Sequence, residues 1–353
     1  MKRFVLVAGV DYERKGVDFR VFCENRVKRL AMANRAAEDL TFQIFDVKSG
    51  KIITREFTYP GGRRTENVIT TTPFTPITHA HYNRVASGGE VHYKFKDGQR
   101  GMMSITDIYA AVRSIGSSDP GTLLELSFFS HAWHGGPILV NSLDDGFAEG
   151  PPAVPGGPPT RIAMGAARDP DDKDPRSGKD FTPPNMTAAE LVLFQDAYHP
   201  AGYNWNWGCA FPRVIHEILH KLEHHADYRP SGLPDAQTFV FRNLDTTHID
   251  QLASWLRKAF PDPRRVELDF GELKRFFCLA TLASYSHHLA VNSKRKTYAG
   301  LIGTYSEYDT GARPLMHIHT GFSRHFRFYK NYLGFSFDPE GRKYGEYDPS
   351  FTC

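Results

Sequence analysis

The segment Thr122-Leu123-Leu124-Glu125-Leu126-Ser127-Phe128-Phe129 constrains this chain more than any other. A run with so little polarity offers no wet face, so it is expected as a strand at the centre of a sheet covered on both sides, the setting of parallel sheets. It runs directly into Ser130-His131, which places an imidazole at the carboxyl end of a central strand. Upstream, residues 4–10 form a short β-branched run and residues 19–37 carry an Ala, Leu and Arg-rich pattern of helical type. Residues 40–46 then alternate at period two and end in the turn signal Lys48-Ser49-Gly50. The opening unit is therefore read as β-α-β.

Residues 51–100 read as short strands and loops, and Ser104 is a candidate N-cap for a helix through Ile105, Ile108, Val112 and Ile115. Residues 144–185 are dense in Pro, Gly and Asp, a composition that cannot build a core, and are placed at the surface beside the site as a functional loop or a disordered segment. Helices are expected over residues 186–198, 212–226, 249–260 and 272–292, with strands at 203–207 and 238–241. The expected fold class is α/β, a three-layer α/β/α sandwich with a mainly parallel central sheet. One domain would span residues 1–293, with an aromatic-rich C-terminal extension, 294–353, packing on it.

Composition excludes several function classes. Among 353 residues, 43 Lys plus Arg against 40 Asp plus Glu leave a formal charge of +3, too small and too evenly spread to imply a nucleic-acid partner. No apolar stretch approaches the ~20 residues needed to span a bilayer, so no membrane partner is expected. Cys23, Cys209, Cys278 and Cys353 show no paired spacing, whereas disulfide frameworks and zinc ribbons need close, repeated pairs. The expectation is a reducing, cytoplasmic setting, with export that needs no cleaved signal left open.

In α/β sheets of this kind, catalytic groups gather beyond the carboxyl ends of neighbouring strands. Two such ends carry reactive side chains here. One is Phe129-Ser130-His131, followed by Gly135-Gly136; the other is Trp207-Gly208-Cys209, followed by the helix expected over residues 212–226. A helix amino end or an imidazolium lowers a thiol's pKa and makes it a nucleophile, a histidine serves as acid and base, and glycine amides can face an oxyanion. Each residue taken singly is also ordinary, since lone cysteines are commonly buried small hydrophobes.

This arrangement resembles the caspase-like, or caspase-haemoglobinase, superfamily of cysteine peptidases over residues 4–226. Those proteins share a β-α-β opening, a hydrophobic strand ending in His-Gly, and a later strand ending in the nucleophilic Cys. The resemblance implies Cys209 as nucleophile and His131 as acid and base, a polypeptide substrate and no cofactor, and leaves a protein partner or activator open. The sole His-Gly pair is His134-Gly135, so His134 is kept as the alternate to His131. Gln-Ala-Cys-X-Gly is absent, and Gly208-Cys209-Ala210 is nearer the Gly-Cys of separase-like relatives.

Two other readings stand beside this one. His216-Glu217-Ile218-Leu219-His220 is a literal HExxH on an expected helix, where two imidazoles could hold zinc and Glu217 could activate water. Against it, Lys221 follows the second histidine, no third ligand is evident, and an amphipathic helix explains the same pattern without metal. The second is a catalytically silent caspase-like binding module. His287-His288 and His317-Ile318-His319 are read as structural or surface residues.

Overall fold

A computed structural model describes residues 1–87, 90–96, 101–133, 135–141, 147–150, 160–163, 178–183, 185–210, 237–239, 266–268, 277–309, 311, 314–319 and 325–353. The chain opens with β1 (Lys2–Ala8), α1 (Phe19–Ala33) and β2 (Leu40–Asp46), the expected β-α-β unit, and β3 (Lys51–Thr58) and β4 (Thr65–Thr71) extend it. The pair β5 (Tyr82–Ser87) and β6 (Glu90–Phe95) precedes α2 (Ile105–Ser118) and the apolar β7 (Leu123–Phe129). Two short antiparallel pairs follow, β8 (His131–Trp133) with β9 (Gly136–Ile138) and β10 (Phe147–Gly150) with β11 (Thr160–Ala163). Next come α3 (Ala188–Asp196), β12 (Tyr198–Asn206), and the parallel pair β13 (Gln237–Phe239) with β14 (Val266–Leu268). After the helix Tyr285–Ser293, the chain ends with β15 (Thr297–Ala299), the antiparallel pair β16 (Ser306–Asp309) and β17 (Leu315–Ile318), the helix His325–Leu333, and β18 (Gly345–Tyr347).

Among the described residues one sheet of eight strands, in the order β18-β15-β12-β7-β1-β2-β3-β4, organises the molecule. Its five middle strands, β15 to β2, are parallel, while β18, β3 and β4 join antiparallel. Period-two alternation divides β1 between two cores. Phe4, Leu6 and Ala8 join the cluster under α1, with Phe22, Val27 and Trp205. Val5 and Val7 join the opposite cluster with Ile108, Phe194 and Leu289, from α2, α3 and the helix Tyr285–Ser293. Helices therefore cover both faces, and β7 lies in the interior of the sheet as its apolar composition demands.

Local chemistry explains the element bounds. Asp18 accepts the Arg20 N–H at the start of α1, and the helix stops at Asn34, whose side chain turns back to the Glu38 backbone; the expected helix to residue 37 is four residues too long. Ser104 caps α2 as expected, with Asp107 taking its N–H at 2.7 Å, and Ile105, Ile108, Val112 and Ile115 are all buried. The helix expected over 272–292 is interrupted at residues 283–284, because the Ser284 hydroxyl accepts the His287 N–H and begins a second helix.

Three further expectations change. Residues 294–353 are no mere extension packing on a finished domain, since β15 and β18 are strands of the central sheet itself. Residues 144–185 were expected to add nothing to the core, yet Phe181 is 2 % exposed and packs on Tyr109 and Phe194, an aromatic anchor that the surrounding Pro and Asp content hides. The cysteines are not all reduced: Cys278 and Cys353 form a disulfide across 75 residues, a pairing that close-spacing rules cannot find. The reducing-compartment reading rested on unpaired cysteines and loses that support. The helices expected over 212–226 and 249–260 lie outside the described residues. No helix among the described residues is long and apolar enough to cross a membrane.

Candidate active site

Three adjacent parallel strands deliver the site. β7 lies between β1 and β12, with Phe128 opposite Val7 on one side and Asn206 on the other. Pairing continues past the strand ends, where the Gly9 N–H donates to Phe129 O at 2.9 Å and the Trp207 N–H to Phe128 O at 3.0 Å. The next residues along are Asp11 after β1, His131 after β7, and Cys209 after β12. Gly208 makes the last approach possible: a Cβ there would sit 2.1 Å from Ala132 Cβ and 2.9 Å from Ala132 N, so no other residue fits without displacing the histidine strand.

His131 is 6 % exposed, and both its ring nitrogens face partners. Nδ1 lies 3.1 Å from the Tyr308 hydroxyl and Nε2 lies 3.5 Å from Asp11 Oδ1. The rings of Tyr12 and Phe19 pack on the imidazole, at centroid distances of 4.6 and 5.3 Å. Asp11 is fixed in turn by the N–H groups of Gly16 and Val17, at 2.7 and 3.0 Å. Burial pushes the Asp11 carboxyl up, but His131 and the Val17 and Lys15 backbone outweigh it and hold the group at about 2. It therefore stands ionised beside the imidazole at neutral pH.

Cys209 Sγ accepts the backbone N–H of Ser306 at 3.4 Å. The residue is half-buried, but atoms crowd the sulfur closely enough for desolvation to push the thiol up to about 11; the Ser306 N–H and Lys15 oppose this and Glu13 adds to it. About one molecule in 10⁴ then carries a thiolate at pH 7, whereas nucleophilic cysteines are activated by a lowered pKa. Around the sulfur, Trp133, Asn206, Ser284, Ser286 and Tyr347 line a narrow crevice. Ser306 is itself anchored, its hydroxyl donating to Trp207 O at 2.9 Å and meeting the Tyr344 hydroxyl at 2.9 Å.

The structure thus brings His131 and Cys209 to neighbouring strand ends, while the imidazole nitrogens are directed at Tyr308 and Asp11. Gly135 is packed on the Trp133 indole and Gly136 pairs with Trp133 in the β8–β9 ladder, so this glycine pair serves local packing. His134, the HExxH residues His216, Glu217 and His220, and the helix expected after Cys209 lie outside the described residues. Among the described residues no group of three or more His, Cys, Asp and Glu side chains is placed to hold a metal ion. His317 and His319 both reach the Glu307 carboxylate through Nε2, at 3.3 and 2.8 Å.

Sequence reasoning missed Asp11, Ser306 and Tyr308. Asp11 carried a usable signal, since it ends the first apolar strand as His131 ends the third. Tyr308 lies 177 residues from His131 and carried none. The chain matches no protein-family model, and no curated protein and no solved structure matches it.

Proposed function

We propose that the chain is a caspase-like cysteine hydrolase acting on polypeptide, with Cys209 as nucleophile and His131 as its acid and base. One observation carries this reading: parallel neighbours β7 and β12 bring His131 and Cys209 to one edge, with Gly208 against Ala132. The strand sequence β12-β7-β1-β2 around a β-α-β opening, with histidine before cysteine in the chain, supports the caspase-like assignment. In the reaction the Cys209 thiol gives its proton to His131 and attacks the scissile carbonyl, forming a C–S bond. His131 then protonates the leaving amine, and water cleaves the acyl-thioester. Asp11 faces the ring and stabilises the imidazolium that forms.

The neutral thiol and the engaged imidazole equally fit a catalytically silent module, and turnover separates the two. Purified protein is incubated with a peptide mixture and products are read by mass spectrometry, beside Cys209→Ala, His131→Ala and His220→Ala variants and a chelator-treated sample. The hydrolase reading expects both site variants to lose at least ~10³-fold in rate, with chelation and His220→Ala without effect. Hydrolysis that survives Cys209→Ala but disappears with chelator and with His220→Ala transfers the chemistry to the zinc reading. No turnover by the wild-type protein or by a Tyr308→Phe variant, whose His131 Nδ1 lacks the hydroxyl partner, leaves the silent module.

A further inference from the structure

We propose that Tyr308 is the positioning residue of this site: its hydroxyl occupies His131 Nδ1 at rest and has to leave it before that nitrogen can take the Cys209 proton. The inference rests on the hydrolase reading above and adds to it the step that controls the site.

β16 contacts both candidate groups. The Ser306 N–H lies against Cys209 Sγ and the Tyr308 hydroxyl against His131 Nδ1, at 3.4 and 3.1 Å. Among the described residues no hydrogen bond joins the Cys209 thiol to the His131 ring, whereas a thiol–imidazole pair needs one at roughly 3 Å. The groups facing His131 are Asp11 at Nε2 and Tyr308 at Nδ1, with Glu13 close enough to interact with the ring and the aromatic faces of Tyr12 and Phe19 on it, so losing the Tyr308 bond frees one nitrogen.

The segment that carries Tyr308 is tied to the cysteine strand end, through Ser306 to Trp207 O and Tyr344 and through the Thr304–Ala210 bridge, so the Tyr308 side chain is the part free to turn away from His131. β16 pairs with β17 and not with the eight-stranded sheet. The Tyr308 ring packs edge-on against Phe19 and tilted against Phe22, at 5.6 and 6.3 Å between centroids, contacts that owe nothing to the hydroxyl. Once His131 Nδ1 is free, the thiol proton passes to it. The products are a thiolate on Cys209 and an imidazolium facing the Asp11 carboxylate, with charge conserved.

The test reads the thiol rather than turnover. Iodoacetamide is added to the full-length native protein and the alkylation rate at Cys209, in which sulfur displaces iodide, is followed by peptide mass spectrometry. Proteins compared are the wild type, Tyr308→Phe, His131→Ala and the double variant. Desolvation by burial is the main cause of the raised thiol, so its full relief by a new imidazolium, from about 11 to the unperturbed ~8.5, is the upper limit and gains about 300-fold in thiolate at pH 7. Its lower basicity returns about 13-fold of that in nucleophilicity, leaving a net acceleration of about 25-fold. Tyr308→Phe is expected to show a gain of up to this factor, to gain a limb in its pH–rate profile below pH 8, and to lose the gain when His131→Ala is added. A Tyr308→Phe rate within twofold of wild type, or a gain that survives in the double variant, overturns the proposal. The wild type provides a measurement independent of variant folding: its Cys209 is expected to react about 25-fold more slowly than free cysteine, and equal rates also overturn the proposal. Peptide hydrolysis with no Tyr308→Phe effect defeats the gate alone, whereas the alkylation gain without any hydrolysis defeats the hydrolase reading alone.

Discussion

Replacing Arg26 by methionine removes the cation that grips a carboxylate in the middle of the central sheet. Glu125 on β7 is fully buried and the Arg26 side chain is 3 % exposed; the guanidinium grips both carboxylate oxygens, with contacts of 2.7, 2.9 and 3.1 Å. Tyr203 adds a hydroxyl donor at 3.0 Å and Ser127 another. Breaking a buried pair from one side strands a charge where water cannot reach it, at a cost of about 3–5 kcal/mol. Two hydroxyl donors remain, which places the expected loss at the lower end, about 3 kcal/mol. Glu340, the other Arg26 partner at 2.8 Å, keeps Arg29 and adds little. Combining Arg26→Met with Glu125→Gln removes the charge as well as its partner, so the double variant is expected to lose only about 1–2 kcal/mol, well below the sum of the singles. Urea unfolding followed by fluorescence supplies the four midpoints of the cycle. A single variant that costs under ~1 kcal/mol, or a double variant that loses as much as the summed singles, refutes the argument that the pair compensates a buried charge.

Cys353→Ser is expected to cost about 4 kcal/mol by the chain-entropy account of a closure spanning 75 residues, and to bring the urea midpoint to that of the wild type under dithiothreitol. A wild-type midpoint insensitive to dithiothreitol would contradict it. Asp11, held at about 2 against an ordinary 3.8, contributes stability that is fully present above pH ~4 and lost as pH falls through about 2. Asp11→Asn should flatten the acid limb of the stability curve between pH 5 and 2, and an unchanged limb would show that His131 and the backbone do not hold the carboxylate as argued.

What the sequence disclosed was local. Apolar continuity placed β7 inside the sheet, and the spacing of Ile105, Ile108, Val112 and Ile115 behind Ser104 located the start of α2 to the residue, because capping and burial act within a few positions. The histidine and cysteine strand ends were legible for the same reason: each is the polar end of an apolar run. Glu125 was visible as one charge in that run, but Arg26 lies 99 residues away and nothing periodic joins them. The same distance problem hid the Cys278–Cys353 bridge and the two positions of β16 that touch the site. Composition also misled at residues 144–185, where one phenylalanine among prolines and aspartates reaches the core, since packing depends on where a side chain lands rather than on the average of its neighbours.

The aromatic stack beneath the site gives the protein an optical signature. Trp205 and Trp207 lie 4.0 Å apart with planes 10° from parallel, Phe129 continues the stack at 5.3 Å, and the Ser306 hydroxyl that anchors β16 beside Cys209 donates to the Trp207 carbonyl. Two indoles this close and this rigid couple their electronic transitions and contribute strong near-ultraviolet circular dichroism, a signal lost when side-chain packing loosens even while helices and strands persist. Any ligand, oxidant or variant that shifts the Cys209 strand end by an ångström is therefore visible in the absorption region of tryptophan, without label and without a substrate.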